Sequence, residues 1–251
     1  IRAGHPCHQE HENHRTREKA NFCIQMLENE GDRDAILLQN LTAAVNDACA
    51  RLHDWVYATA NHWLDKGKIV AVLGGEHSTP LGLMRAVAER YPALGLIQID
   101  AHADLRPGYE GFTWSHASIM HHAAQIETFT HIVQVGLRDY CHAEAAVIAG
   151  SGGRFRLFDD RTLRRRLFEG DTWRTLCDDI LDGLPQHVYL TCDIDGLEPA
   201  LCPHTGTPVP GGLSFEQLFY LVERLTARGH QIVGFDLCEV APGPNGDDWD
   251  A

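Results

Sequence analysis

Between residues 69 and 236 short apolar runs alternate with stretches of helical period, and few folds accommodate that pattern. The apolar runs at 69–73, 94–100, 131–136, 154–158, 187–193 and 231–236 read as strands. Helices are expected between them at 80–89, 118–124, 141–149, 159–168, 171–183 and 214–228. Strands that are apolar almost throughout and are joined by helices belong to a parallel sheet covered on both faces. The expectation is an α/β chain: a single-domain, three-layer αβα sandwich with a mostly parallel sheet. Upstream, residues 16–30 read as helical. Leu41, Val45, Ala48, Leu52, Trp55, Val56, Ala60 and Trp63 then recur at helical spacing, giving one long amphipathic helix over 40–66. Residues 1–15 are polar and rich in histidine, with His8, His11 and His14 three apart, and read as an arm distinct from a domain spanning 16–251. No linker or repeat interrupts that domain. The alternation also calls for a helix after residue 236 and a strand before the first helix, neither of which the chain supplies.

Charge narrows the partners. Lys and Arg number 21 against 35 Asp and Glu, for a net charge of −14. Such a chain is poorly suited to nucleic acid or anionic membranes and better suited to a small cation. No apolar run approaches the roughly 20 residues that cross a bilayer. The first residues, Ile1 to His5, lack the apolar core of a signal peptide. Eight cysteines are scattered with no Cys-x-x-Cys, which reads as free thiols in a reducing cytoplasm.

Chemistry collects where strands end. One strand runs into Asp100-Ala101-His102-Ala103-Asp104, and in extended chain alternate side chains point the same way. Two carboxylates and an imidazole so close call for a cation. Three other strands end alike, in Gly75-Glu76-His77, in Asp193-Ile194-Asp195-Gly196 and in Asp236-Leu237-Cys238-Glu239. Ligands of open α/β sheets bind at such carboxyl ends. Two imidazoles and four carboxylates suit two divalent cations; the mixed N/O set with its oxygen excess leans towards Mn2+, with Ni2+ also suited. No Ser or Cys in these motifs has a matching His base, so activated water is the expected nucleophile.

Six motifs in one order carry a resemblance. They are Gly74-Gly75-Glu76-His77-Ser78, Asp100-Ala101-His102-Ala103-Asp104, Ser115-His116-Ala117-Ser118, Asp193-Ile194-Asp195-Gly196-Leu197-Glu198-Pro199, the loop from Thr205 to Gly212, and Glu239-Val240-Ala241-Pro242. Over about residues 69–243 the chain resembles the ureohydrolase family of arginases and agmatinases, and the Ser-His-Ala-Ser context favours an agmatinase-like member. The resemblance implies an arginase-like fold and a binuclear-metal hydrolase that releases urea from a guanidino compound. Asp100 and Asp193 would bridge the ions, His77 and Asp104 would complete one, and His102 and Asp195 the other. A hydroxide between the ions would attack the guanidinium carbon. Glu239 would face the guanidinium group, and His116 or Asp104 would supply the proton to the leaving amine. The resemblance also implies a homo-oligomer, a trimer or hexamer.

Glu76 stands where many members have Asp and is expected to orient His77. Trp114 borders the expected entrance, either sizing the substrate tail or packing as a lid. Free guanidine, guanidinobutyrate and other guanidino acids, arginine and formimino compounds are alternative substrates. A single-zinc deacetylase-like enzyme and a non-catalytic relative are the competing classes. Arg161, Arg164, Arg165 and Arg166 read as an ion-paired surface, His121, His122, His131 and His142 as surface or satisfied histidines, and His204 as loop scaffolding.

Overall fold

Six strands form one sheet: β1 (Val70–Leu73), β2 (Leu94–Ile99), β3 (Phe129–Val135), β4 (Phe155–Phe158), β5 (His187–Asp193) and β6 (Gln231–Cys238). The computed structural model describes residues 7–28, 34–244, 246–247 and 249–250, with residues 7–10 given by their backbone alone. The strand order is β1-β6-β5-β2-β3-β4 and every pairing is parallel, so the mostly parallel expectation becomes a fully parallel sheet. β2 is buried at every position, which explains its unbroken apolar run.

Eight α-helices lie among the described residues: α1 (Cys7–Glu28), α2 (Ala35–Leu64), α3 (Leu81–Ala88), α4 (Ile119–Ala123), α5 (His142–Ala149), α6 (Asp160–Phe168), α7 (Trp173–Leu181) and α8 (Phe215–Ala227). Side chains alternate across the strands and build two cores. Leu94, Leu96, Ile132, Tyr189 and Val233 pack with Val56, Leu83, Met84 and Met120 from α2, α3 and α4. Ile97, Ile99, Val133, Val135 and Val188 pack with Leu163, Leu176, Ile180, Leu221 and Leu225 from α6, α7 and α8. The result is the three-layer α/β sandwich expected. α2 and α3 cross closely because Gly82 has no side chain; a Cβ there would lie 2.3 Å from the His53 carbonyl oxygen.

The expected helix at 16–30 instead begins at Cys7, so the boundary drawn at residue 15 falls inside α1. His5 and the side chains of Cys7 and His8 lie outside the described residues; His14, on α1, sits 3.5 Å from Glu18. The long helix starts at Ala35 rather than residue 40 because Asp34 caps it, accepting from the Leu37 N–H at 2.9 Å. β6 runs two residues beyond its expected end, and a 3-10 turn at His116–Ser118 precedes α4. The seven cysteines described are all free, and no helix among the described residues is long and apolar enough to cross a membrane.

Candidate metal centre

β2 and β5 are neighbours whose following connections leave in opposite directions, β2 to β3 and β5 to β6. Such a switch point opens a crevice at the strand ends. β2 delivers Asp100, His102 and Asp104 there, and β5 delivers Asp193 and, on a 3-10 turn, Asp195. Gly196 permits the approach: a Cβ on it would meet the Asp100 nitrogen at 2.7 Å. The two ends are then laced together. Asp195 Oδ1 accepts from the Ala101 N–H at 3.0 Å, and Asp193 Oδ1 from the Asp195 N–H at 2.9 Å. β1 contributes His77, and β6 contributes Glu239, whose N–H donates to the Gly75 carbonyl at 2.8 Å.

Six ligand-type side chains gather into two groups around one shared carboxylate. His77 Nδ1 lies 3.2 Å from Asp100 Oδ2, 3.2 Å from Asp104 Oδ2 and 3.3 Å from Asp193 Oδ2. His102 Nδ1 lies 3.1 Å from Asp195 Oδ2 and 3.6 Å from Asp100 Oδ1. Asp100 therefore turns one oxygen to each group. His77 and Asp100 are fully buried, while His102 is about a quarter exposed at its side chain. In each of the sets His77–Asp100–Asp104 and Asp100–His102–Asp195 the donor atoms lie within 4.8 Å of one another.

The electrostatics ask for positive charge. Burial and the Asp100 charge push Asp104 up to about 7, and the same two causes push Asp193 well above the carboxylate range. Burial works against a charged His77, but the surrounding carboxylates outweigh it and raise its pKa far above that of free imidazole. His102 is raised to about 11 against the same burial by Asp100 and Asp195. His77 Nδ1 is buried without a hydrogen-bond partner, although three carboxylates surround it. An orphaned imidazole nitrogen in an acidic cage is what a divalent cation would satisfy, and mixed N/O donors fit such an ion. Asp104 and Glu239 hold φ of 54° and 62°, a strained left-handed backbone in non-glycine residues at the site itself.

Glu239 Oε1 accepts from the His77 N–H at 2.8 Å, which holds its carboxylate beside the first group. Burial raises its pKa. His116 is half exposed, with Nδ1 3.3 Å from Glu76 Oε1, and its backbone N–H donates to the same oxygen. That hydrogen bond raises His116 to about 9. Glu76 thus corrects one expectation: its carboxylate serves His116 and Ser78, not the His77 ring, because the extra methylene carries it across to the 3-10 turn. Trp114 packs against the first core, its ring 5.1 Å from that of His53 and 4.4 Å from that of His122. Arg164 and Arg166 are ion-paired as expected, with Glu198 at 3.0 Å and Asp171 at 2.6 Å. His204 Nδ1 is 3.0 Å from Asp250 Oδ1, which fits loop scaffolding.

Sequence reasoning missed the layer beneath the candidate ligands. Gln134, Gln98, Thr191 and Asp236 stand in register on β3, β2, β5 and β6, forming a buried polar row just below the strand ends. Gln98 donates to Asp100 Oδ2 at 2.7 Å, and Gln134 donates to Gln98 at 2.6 Å and to the Ala103 carbonyl at 3.0 Å. The signal was present as lone polar residues inside apolar strands. Arg138 was also missed: it donates to the carbonyls of Asp195 at 2.6 Å, Leu197 at 3.2 Å and Val209 at 2.9 Å, pinning the loop behind Asp195.

Known proteins resemble this chain in sequence and fold. A model of the Arginase family matches residues 11–248. The chain is 36% identical over 190 residues to the N(1)-aminopropylagmatine ureohydrolase of Thermus thermophilus, covering 76% of this chain and 61% of that protein. It is 32% identical over 191 residues to the agmatinase of Bacillus anthracis, covering 75% and 61%. It therefore spans about three-fifths of the length of these curated relatives. Among solved structures, the agmatine ureohydrolase of Thermoplasma volcanium superposes with a TM-score of 0.65 at 27% identity, over 80% of this chain and 64% of that one. The arginase of Bacillus subtilis gives 0.66 at 26% identity, over 83% and 74%. The chain belongs to the arginase family.

Proposed function

We propose that this chain hydrolyses the terminal C–N bond of a small cationic guanidino compound of the agmatine type, releasing urea and an amine. The observation that carries the reading is Asp100, whose two oxygens face two separate His/Asp groups. One oxygen per group is the arrangement of a carboxylate shared between two cations. The names of the relatives, aminopropylagmatine ureohydrolase and agmatinase, support a substrate whose tail ends in an amine.

His77 and Asp104 would hold one divalent cation, His102 and Asp195 the other, with Asp100 and Asp193 shared. Bound there, such ions lower the pKa of water to about 7 and so supply a nucleophile at neutral pH. The chain's own groups do the rest. A guanidinium keeps its proton above pH 12 and presents a planar N–H fork. Glu239, fixed through the His77 N–H, accepts from that fork and aligns the carbon with the centre. The Asp104 carboxylate takes up the proton released on addition of water. His116, held protonated by Glu76, donates a proton to the departing amine nitrogen. Guanidinium plus water thereby gives urea plus an alkylammonium ion with no net change in charge, the proton on Asp104 restoring that lost by His116.

Oxygen-rich ligation supports Mn2+, with Ni2+ second. Seven free thiols support a reducing cytoplasmic setting, and assembly into a homotrimer or hexamer accompanies the reading by family likeness. The test is urea release from protein loaded with Mn2+ or Ni2+, across agmatine, aminopropylagmatine, guanidinobutyrate, arginine and guanidine. The amine-tailed compounds are expected to react fastest, and Glu239→Gln to raise KM and lower kcat. Absence of urea from every guanidino compound, with both ions bound, would overturn the proposal.

A further inference from the structure

Beneath the first group lies a chain of hydrogen bonds that leads away from the crevice into the sheet. His77 Nε2 is 2.9 Å from Thr191 Oγ1. Thr191 Oγ1 donates to Asp236 Oδ1 at 2.8 Å, and the Tyr189 hydroxyl donates to Asp236 Oδ2 at 2.8 Å. His77, Thr191 and Tyr189 are fully buried and Asp236 is 1% exposed, so no solvent enters the chain of bonds. Asp236 Oδ1 is 3.9 Å from His77 Nε2, too far for a direct bond, so the threonine is the obligatory link.

The direction of every proton in this series is fixed by its terminus. A carboxylate only accepts, and Asp236 accepts at both oxygens. Thr191 has one hydroxyl proton, and it is spent on Asp236. Its oxygen is then left to accept, and the only ring atom within reach is His77 Nε2. That nitrogen must carry a hydrogen. A cation bound among these carboxylates displaces the proton they hold on the ring, and with Nε2 kept protonated it is the Nδ1 lone pair that is freed. Nδ1 is the atom that faces Asp100, Asp104 and Asp193 and has no hydrogen-bond partner of its own.

We propose that Thr191 and Asp236 are positioning residues that select the tautomer of His77, presenting Nδ1 as a donor to the first cation and acting on that ion alone. The inference rests on the two-cation reading above and deepens it. His102 owes nothing to this relay: its Nδ1 neighbours are Asp195 and Asp100, and its backbone N–H bonds Asp100 Oδ1 at 2.7 Å. The relay therefore separates the two ions, which the ligand set alone treats alike.

The test is cation titration of the full chain with Mn2+, followed by calorimetry and by metal analysis after dialysis. Thr191→Val keeps the shape and removes the acceptor. It is expected to weaken one of two ions about 10- to 100-fold and leave the other unchanged. Thr191→Ser keeps the hydroxyl and is expected to restore both. Asp236→Asn is isosteric but can offer an N–H to Thr191, which reverses the relay; it is expected to match Thr191→Val, and it carries the test should the valine variant fail to fold. In zinc-loaded, 15N-histidine-labelled protein, His77 is expected to show a protonated Nε2, lost as a single tautomer in Asp236→Asn. Two equally tight ions in both the Thr191→Val and Asp236→Asn variants, or failure of serine to restore binding, would overturn the relay. His77→Ala distinguishes the underlying reading: if it loses no ion, the two-cation reading fails; if it loses one while Thr191→Val loses none, only the relay fails.

Discussion

Asp100 is the side chain on which the centre turns. Gln98 donates to its Oδ2 and the His102 N–H to its Oδ1, so both oxygens are aimed before any cation arrives. Asp100→Asn turns one acceptor into a donor that faces an imidazole or an N–H. Cation content measured by elemental analysis is expected to fall from two per chain towards zero, and urea release to background. His116→Ala tests a different function. Cation content is expected to stay at two while kcat falls about 100- to 10,000-fold, with KM changing less, in steady-state assays. Asp100, His102 and Asp104 were legible because a strand fixes a period of two. The partner of Glu76 was not, since His116 lies 40 residues away and only folding brings the two together.

Strands bring these residues to one place, and their pairing is what keeps them there. β5 lies against β2 because Gly196 leaves room for the Asp100 backbone. Gly196→Ala would force a Cβ against the Ile99 carbonyl carbon at 2.8 Å, prying apart the strand ends that carry Asp193 and Asp100. A loss of about 1–3 kcal/mol is expected in chemical denaturation of the metal-free protein. A further loss of cation affinity should appear by titration, because the two carboxylates proposed to be shared would separate. Helices and strands were readable from apolar period, and β5 was expected at the residues it occupies. The fully buried β2 and the start of α2 at Ala35 differ in kind: one is announced by an apolar run, the other by the single capping carboxylate of Asp34, easily passed over.

The molecule as a whole gathers negative charge, net −14, and concentrates part of it in a buried crevice. Without cations, folding must keep protons there. Unfolded carboxylates titrate near 4, whereas folded Asp104 titrates near 7 and Asp193 well above its usual range. The stability Asp104 contributes is complete below about pH 4 and is lost as pH rises through about 7, and the raised Asp193 loses its share in the same direction. His102, raised to about 11, adds a contribution that is complete below about pH 6.5 and lost above it as pH climbs towards 11. Both trends have the same sign. The melting temperature of chelator-treated protein is expected to fall steadily from pH 5 to pH 9. Added Mn2+ is expected to reverse the trend, since cations displace those protons and bind tighter as pH rises. Thermal unfolding with chelator and with Mn2+ across that range checks both signs.

Strand and helix periods, the Asp-x-His-x-Asp and Asp-x-Asp spacings, and the acidic balance were all local properties, readable one segment at a time. They set the fold class and pointed to five of the six candidate ligands, with His77 read from a Gly-Glu-His strand end and the grouping of all six implied by the family resemblance. Which atoms meet was a matter of strand order, since placing β5 beside β2 is a long-range event that no segment encodes alone. The same ordering laid Gln98, Gln134, Thr191 and Asp236 in one buried row, where isolated polar residues on four strands became a connected support. Hydrogen bonds reach only about 3 Å, so partners scattered between residues 98 and 236 acquire their roles when the sheet closes and not before.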